Sequence, residues 1–163
     1  MEKLQMREYI LRLSLKGTDI TRTIAIGEDM TFFELHEIIQ ILFGWGDNHL
    51  HHFKVDSLVI GDYDDEDDIP TNYTYEGEAD LSVILDNEPK FLYEYDFGDG
   101  WQVGIEVLEI KNREVDTLPV VIESHGSMAA DDCGGVEGLK TIPVVNIDVE
   151  TLNVLLAQYY RDR

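Results

Sequence analysis

Two things are scarce in this 163-residue chain, cysteine and positive charge. The single cysteine, Cys133, excludes an internal disulfide and any multi-thiolate zinc centre built within one chain, and it points to a reducing compartment. Lys and Arg total 12 against 34 Asp and Glu, a formal net charge of -22. A nucleic-acid binder needs a basic footprint to displace phosphate counterions, so direct binding to DNA, RNA or an anionic membrane surface is disfavoured. No apolar run approaches the ~18 residues that span a bilayer, and the first residues carry no leader-like apolar core, so a cytoplasmic location is expected. The acidity suits a very soluble protein, a binder of cations or of a basic protein partner, or a proteome adapted to a salty cytoplasm.

Enough apolar material is present, at 44% hydrophobic and 10% aromatic residues, to bury a core in one domain spanning 1–163. Tyr9, Leu11, Leu13 and Leu15 alternate, and Ile20, Arg22, Ile24 and Ile26 follow after Lys16-Gly17-Thr18-Asp19, which predicts a first hairpin. Phe32, Leu35, His36, Ile39, Leu42 and Phe43 recur at three- and four-residue spacing. They predict an amphipathic helix over 32–43, capped by Asp29 or Thr31 and ended at Gly44. A third strand over 49–55 would put His49, His51, Phe53 and Val55 on one face and Leu50, His52 and Lys54 on the other. The acid-dense run at 62–68 opens a polar stretch, predicting an exposed acidic loop at about 61–79. Phe91, Tyr93, Tyr95 and Phe97, then Gly98-Asp99-Gly100, then Trp101, Val103, Ile105 and Val107 give the strongest hairpin signal. A strand over 118–123, a glycine-rich acidic loop over 124–138 and a helix over 148–160 complete the chain. This order predicts an α+β domain with a mixed or mostly antiparallel sheet packed by one main helix, with a β-grasp-like core and a C-terminal helix.

Four of the five histidines, His36, His49, His51 and His52, fall within the helix and third strand. Same-face His49 and His51, with His36 on the helix above, form a possible divalent-metal set. The plainer alternative is that His36 is a hydrogen-bonded core residue and the others pave a sheet surface, since no HExxH motif is present. No organic cofactor is expected. The acidic run fails as an EF-hand, because position six from Asp62 is Asp67 and position twelve is Tyr73. Tyr95, Asp96, Asp99 and Trp101 surround a tight turn that serves either as turn chemistry alone or as a recognition edge. A Cys133–His125 nucleophile is disfavoured, because Asp131, Asp132 and Glu137 would raise the thiol pKa.

Leu35-His36, Gly44-Trp45, His49-Leu50-His51-x-Phe53, Tyr95-Asp96-Phe97-Gly98-Asp99-Gly100-Trp101 and Asp132-Cys133-Gly134-Gly135-x-x-Gly138 occur in that order over about 9–138. Together they resemble the successive signatures of the plasmid pRiA4b ORF-3-like family. That family occurs in bacteria and archaea, with some members carried as passengers of insertion sequences and some bearing a resolvase-like (TnpR) label. No biochemical activity comes with the resemblance. The resolvase label meets physical opposition here, because serine recombination needs an arginine-rich centre and a basic DNA-binding tail, and the chain has neither. The chain also departs from the family pattern: Val103 replaces a histidine, Arg22 stands in for an arginine pair, and Met128-Ala129-Ala130 replaces Cys-Pro-Pro. The resulting expectation is an acidic binding or adaptor module of unknown partner, leaning away from an enzyme. The rivals are a metal-dependent enzyme, such as a hydrolase, using the His/Asp cluster, and a DNA mimic that occupies a basic protein. Candidate binding residues are His36, Trp45, His49, His51, Tyr95, Asp96, Asp99, Trp101 and Asp132.

Overall fold

Alternating apolar residues pair the first two strands, β1 (Gln5–Leu15) and β2 (Thr21–Gly27), into an antiparallel hairpin with Tyr9 opposite Ile26 and Leu11 opposite Ile24. A computed structural model describes residues 5–64, 68–114 and 119–162 of the chain. Helix α1 (Phe32–Phe43) follows. The Thr31 hydroxyl accepts from the Glu34 N–H, and Gly44, at φ 81°, returns its own N–H to the Gln40 and Ile41 carbonyls. That left-handed close is cheap only for a residue without Cβ, and a Cβ at Gly44 would also crowd Met128.

The remaining elements are β3 (His51–Val55), β4 (Leu58–Gly61), β5 (Tyr73–Tyr75), α2 (Leu81–Leu85), β6 (Lys90–Tyr95), β7 (Trp101–Glu114), β8 (Val120–His125), α3 (Gly135–Leu139) and α4 (Val149–Arg161). The strands form one sheet in the order β5-β4-β3-β6-β7-β1-β2-β8. Every neighbouring pair is antiparallel except β4 with β5. The expected α+β class with one main helix and a C-terminal helix therefore holds, and the hairpin, helix, strand order of a β-grasp-like core is the opening of a wider, eight-stranded sheet.

The core lies between the sheet and α1. Phe32 meets Phe53 edge-on at 5.0 Å, and Phe53 lies 5.0 Å from Tyr93, so the helix is seated over β3 and β6. Helix α4 starts at Asp148, whose carboxylate accepts from the Thr151 N–H, and it buries Leu152 and Leu156. From the same helix the Asn153 amide accepts from the Val121 N–H and donates to the Val121 carbonyl, completing the outer edge of β8 as a further strand would.

Arg22 is fully buried and donates to the carbonyls of Leu42, Thr21, His125 and Ser127. Burial lowers its pKa to about 10, and its guanidinium sits 5.4 Å above the Phe43 ring. The Leu42 carbonyl belongs to the negative end of α1, so Arg22 serves that helix end as a cation while tying it to the chain that leaves β8. Ala129 adds a hydrogen bond from its N–H to the Phe43 carbonyl at 2.8 Å.

Three expectations need adjustment. The third strand begins at His51, leaving His49 and Leu50 in the loop before it. The strand expected over 118–123 runs Val120–His125, residue 118 lying outside the described residues. In the stretch 61–79, Asp62, Asp64 and Asp68 are exposed and 65–67 lie outside the described residues, but Tyr73–Tyr75 is a strand and Glu76 is buried. The cause is local: β5 pairs in parallel with β4, the Tyr73 hydroxyl donates to the Gly61 carbonyl, and the Glu76 N–H donates to the same carbonyl.

Candidate functional site

Strand pleating separates the histidines. His51 faces α1, whereas His52 points to the opposite face, where it bonds Tyr63 at 2.7 Å and Glu94 at 2.9 Å. His36 and His51 meet across the helix–sheet boundary with their rings stacked, centroids 3.4 Å apart and planes 7° from parallel. Around them runs a closed ring of hydrogen bonds. The Gln40 amide donates to the Tyr93 hydroxyl at 2.8 Å, and Tyr93 donates to His36 Nδ1 at 2.8 Å. His36 Nε2 donates to Asp47 Oδ1 at 2.9 Å, and the Asp47 N–H returns to Gln40 Oε1 at 2.8 Å. His51 Nε2 bonds buried Glu76 at 2.7 Å. Burial, reinforced by the neighbouring His51, pushes the His36 pKa down to about 2, so its imidazole stays neutral.

His36, Asp47 and His51 place one donor atom each within 4.8 Å, but as a metal set they are poorly arranged. Imidazole lone pairs lie in the ring plane. An ion about 2.1 Å from two nitrogens on parallel stacked rings would sit well off both planes. Both nitrogens of His36 are also already engaged. This inner cluster reads as a buried polar network that fixes α1 against β3 and β6.

A second cluster forms where three loops converge. The first loop, after α1, carries Trp45 and His49; the second is the β6–β7 turn, with Asp96 and Asp99; the third, before α3, carries Asp131 and Asp132. Pairing of His51 with Tyr95 brings the first two together, and the Asp96 N–H extends it by donating to the Leu50 carbonyl at 2.9 Å. Asp96 braces its turn, accepting through Oδ1 from the N–H groups of Gly98 and Asp99 at 3.2 and 3.3 Å. The third loop is held by Asp131, which accepts from the Gly46 N–H at 2.8 Å and the Tyr95 hydroxyl at 3.3 Å. Asp99 accepts from the Gly134 N–H at 3.3 Å. Gly135, at φ 70°, lies so close that a Cβ there would run into the Asp99 carbonyl.

At this junction His49 Nε2 donates to Asp132 Oδ1 at 2.7 Å and lies 3.5 Å from Asp96 Oδ2. Desolvation pulls the imidazole pKa down, but the hydrogen bond to Asp132 and the charges of Asp96, Asp132 and Asp131 outweigh it and hold His49 above the ordinary histidine range. Asp96 and Asp132 both adopt positive φ, at 56° and 59°, as does Asp47 at 54°. Beneath the junction Trp45 stacks on Tyr95 at 4.9 Å and lies 5.6 Å from Trp101. All three rings are buried, so they form its floor and not its rim. Cys133 donates to the Gly135 carbonyl, and burial, followed by the Asp99 charge, pushes its thiol up, which disfavours a thiolate nucleophile.

The structure therefore divides the expected residues. His49, Asp96, Asp99 and Asp132 meet at the outer junction over Trp45, Tyr95 and Trp101, while His36 and His51 belong to the inner network. The shared His36/His49/His51 metal set is corrected, because His49 precedes β3 and reaches towards the turn and the third loop instead of α1. Sequence reasoning passed over Asp47, Glu76, Gln40, Tyr93 and Asp131 as site members. A tyrosine amid a buried alternating run was a usable signal, since its hydroxyl needs a partner.

A profile of the plasmid pRiA4b ORF-3-like protein family matches residues 7–148. An uncharacterised protein of Sinorhizobium fredii is 30% identical over 128 residues, 74% of this chain and 62% of the relative, so the chain spans less than two thirds of that protein. The crystal structure of a protein of unknown function from Methanosarcina mazei Go1 superposes with a TM-score of 0.75 at 33% identity, covering 86% of this chain and 81% of that one. Among the described residues no helix is long and apolar enough to cross a membrane. With most of its length matched, and with the signature segments meeting in space, the chain belongs to the plasmid pRiA4b ORF-3-like family.

Proposed function

We propose that this protein is a binding module whose ligand site is the three-loop junction and whose ligand brings positive charge, as a basic segment of a protein partner would. One observation carries the reading. Asp96, Asp131 and Asp132 act on a single imidazole, Asp99 is tied to the same third loop through the Gly134 N–H, and among the described residues none of the four pairs with a lysine or arginine. Carboxylates held together at short range repel one another, and a cationic ligand relieves that repulsion while gaining charge-assisted hydrogen bonds. The buried aromatic floor and the bracing bonds of Asp96 and Asp131 pre-form the surface, which lowers the ordering cost of binding.

The test must separate this surface from the protein's general acidity. A short arginine-rich peptide is titrated at physiological ionic strength into wild type, into an Asp99→Asn/Asp132→Asn variant, and into an Asp62→Asn/Asp64→Asn variant that removes equal charge elsewhere. The expected result is binding about tenfold weaker, ~1.4 kcal/mol, in the first variant and nearly unchanged in the second. Equal losses in the two variants would mean that the peptide responds to overall charge and that the junction is not the site.

A further inference from the structure

We infer that His49, Asp96 and Asp132 form a site for one divalent first-row transition-metal ion. The inference rests on the reading of the junction as a place for positive charge, and it names that charge. The donor chemistry is mixed, one imidazole nitrogen and two carboxylate oxygens from three separate loops, all within 4.8 Å of one another. Such a set suits Zn²⁺ or Mn²⁺ better than Mg²⁺ or Ca²⁺, which favour oxygen alone.

The spacing fits a shared ion. Ligands about 2.1 Å from a metal, at ligand–metal–ligand angles of 90–120°, stand about 3.0–3.6 Å apart. His49 Nε2 lies 2.7 Å from Asp132 Oδ1 and 3.5 Å from Asp96 Oδ2, so small side-chain rotations place all three around one centre. The stacked His36/His51 pair does not offer this, because its lone pairs lie in two nearly parallel planes and cannot both point at an ion between them.

A second observation lies beside the ligands. Asp131 Oδ1 is shut off from solvent and has no hydrogen-bond partner, while its other oxygen is taken by Gly46 and Tyr95. A buried carboxylate oxygen without a partner carries the full cost of desolvation, and a cation at the junction offsets it through space. Backbone restraint adds to the case for chelation over diffuse attraction: Asp96 is fixed by its bonds to Gly98 and Asp99, and the third loop is fixed through Asp131 and Gly134. With three protein ligands and the side chain of Asp132 about two-thirds exposed, the remaining coordination positions face solvent and are open to water or to a donor group from a partner.

The test uses the full chain, stripped with a chelator and dialysed. Zinc chloride and manganese chloride are titrated separately by calorimetry, each with excess magnesium chloride to occupy unspecific acidic sites. The expected result is one ion per chain, with affinity lowered about tenfold or more in His49→Gln and in Asp132→Asn and unchanged in Asp64→Asn. On zinc addition the His49 ring nitrogen resonances should shift while those of His36 stay in place. Equal affinity in wild type and His49→Gln, several equivalent weak sites, or no binding above magnesium would each overturn the inference. The same samples are titrated with the arginine-rich peptide. Peptide binding that still depends on Asp99 and Asp132, without specific metal uptake, would leave the cation-binding reading standing and remove the metal; loss of both would remove both.

Discussion

The two histidine clusters lie on either side of the start of β3, and they respond to protons in opposite directions. In the inner one, His36 is 1% exposed, has both nitrogens engaged and is driven towards neutrality. In the outer one, the His49 side chain is 30% exposed, faces two carboxylates and is driven towards its charged form. The same residue type, two positions apart along the chain at 49 and 51, thus enters structure in one place and an electrostatically unbalanced junction in the other. The direction of each shift has a local cause: at His36 the desolvation cost prevails, and at His49 the neighbouring carboxylates outweigh it.

The largest effect on this division should come from a residue outside both clusters. Arg22→Met removes four hydrogen bonds, to the carbonyl of Leu42 at the end of α1, to that of Thr21 in β2, and to those of His125 and Ser127 on the segment leading to Asp131. Chemical denaturation should show a loss of about 3 kcal/mol or more, together with line broadening at the junction amides. Next, His36→Leu leaves the Tyr93 hydroxyl proton without its acceptor and the Asp47 carboxylate without its imidazole donor, and a loss of about 2–3 kcal/mol is expected. His49→Gln, by contrast, should leave the denaturation midpoint essentially where it was while weakening ligand uptake. If the two histidine variants destabilise equally, the proposed division is wrong.

Acid should expose the same contrast. A histidine whose folded pKa is depressed contributes fully above the unfolded value near 6.5, and that contribution is lost as pH falls from there towards about 2. His36 therefore steepens acid destabilisation by at most about 1.4 kcal/mol per pH unit below 6.5, and His52, also lowered chiefly by burial, acts in the same direction. His49 has the opposite sign: its stabilising effect is complete below pH 6.5 and disappears as pH rises through its elevated folded value. Urea midpoints from pH 7 to 5 should fall less steeply in His36→Leu than in wild type. A smaller loss than for His36→Leu, about 1 kcal/mol, is expected for Tyr93→Phe, which keeps the ring but removes the hydroxyl joining Gln40 to His36.

Much of the frame was legible because it is encoded locally. The stripe from Phe32 to Phe43 with Thr31 before it and Gly44 after it, and the alternation across Tyr93, Tyr95, Trp101 and Val103, each need only a short window to read. Strand β5 was hidden because three residues in a polar stretch gain strand structure only from β4 and the Tyr73 hydroxyl. The site was half legible. HLHxF and YDFGDGW marked two of its loops, yet which histidine joined which carboxylate depended on where β3 begins. Nothing in the local sequence singles out Glu76 as buried or Asp131 as the anchor of the third loop, since acidic residues are everywhere in this chain.

The most direct test of this separation of a structural cluster from a ligand-accessible one is a pH titration of the assigned histidine ring resonances by NMR, in the chelator-treated chain. His49 is expected to gain its proton at a pH above that of a free imidazole, and His36 to stay neutral for as long as the fold persists. His36 protonating near pH 6 in the folded protein, or His49 titrating below the free value, would contradict it.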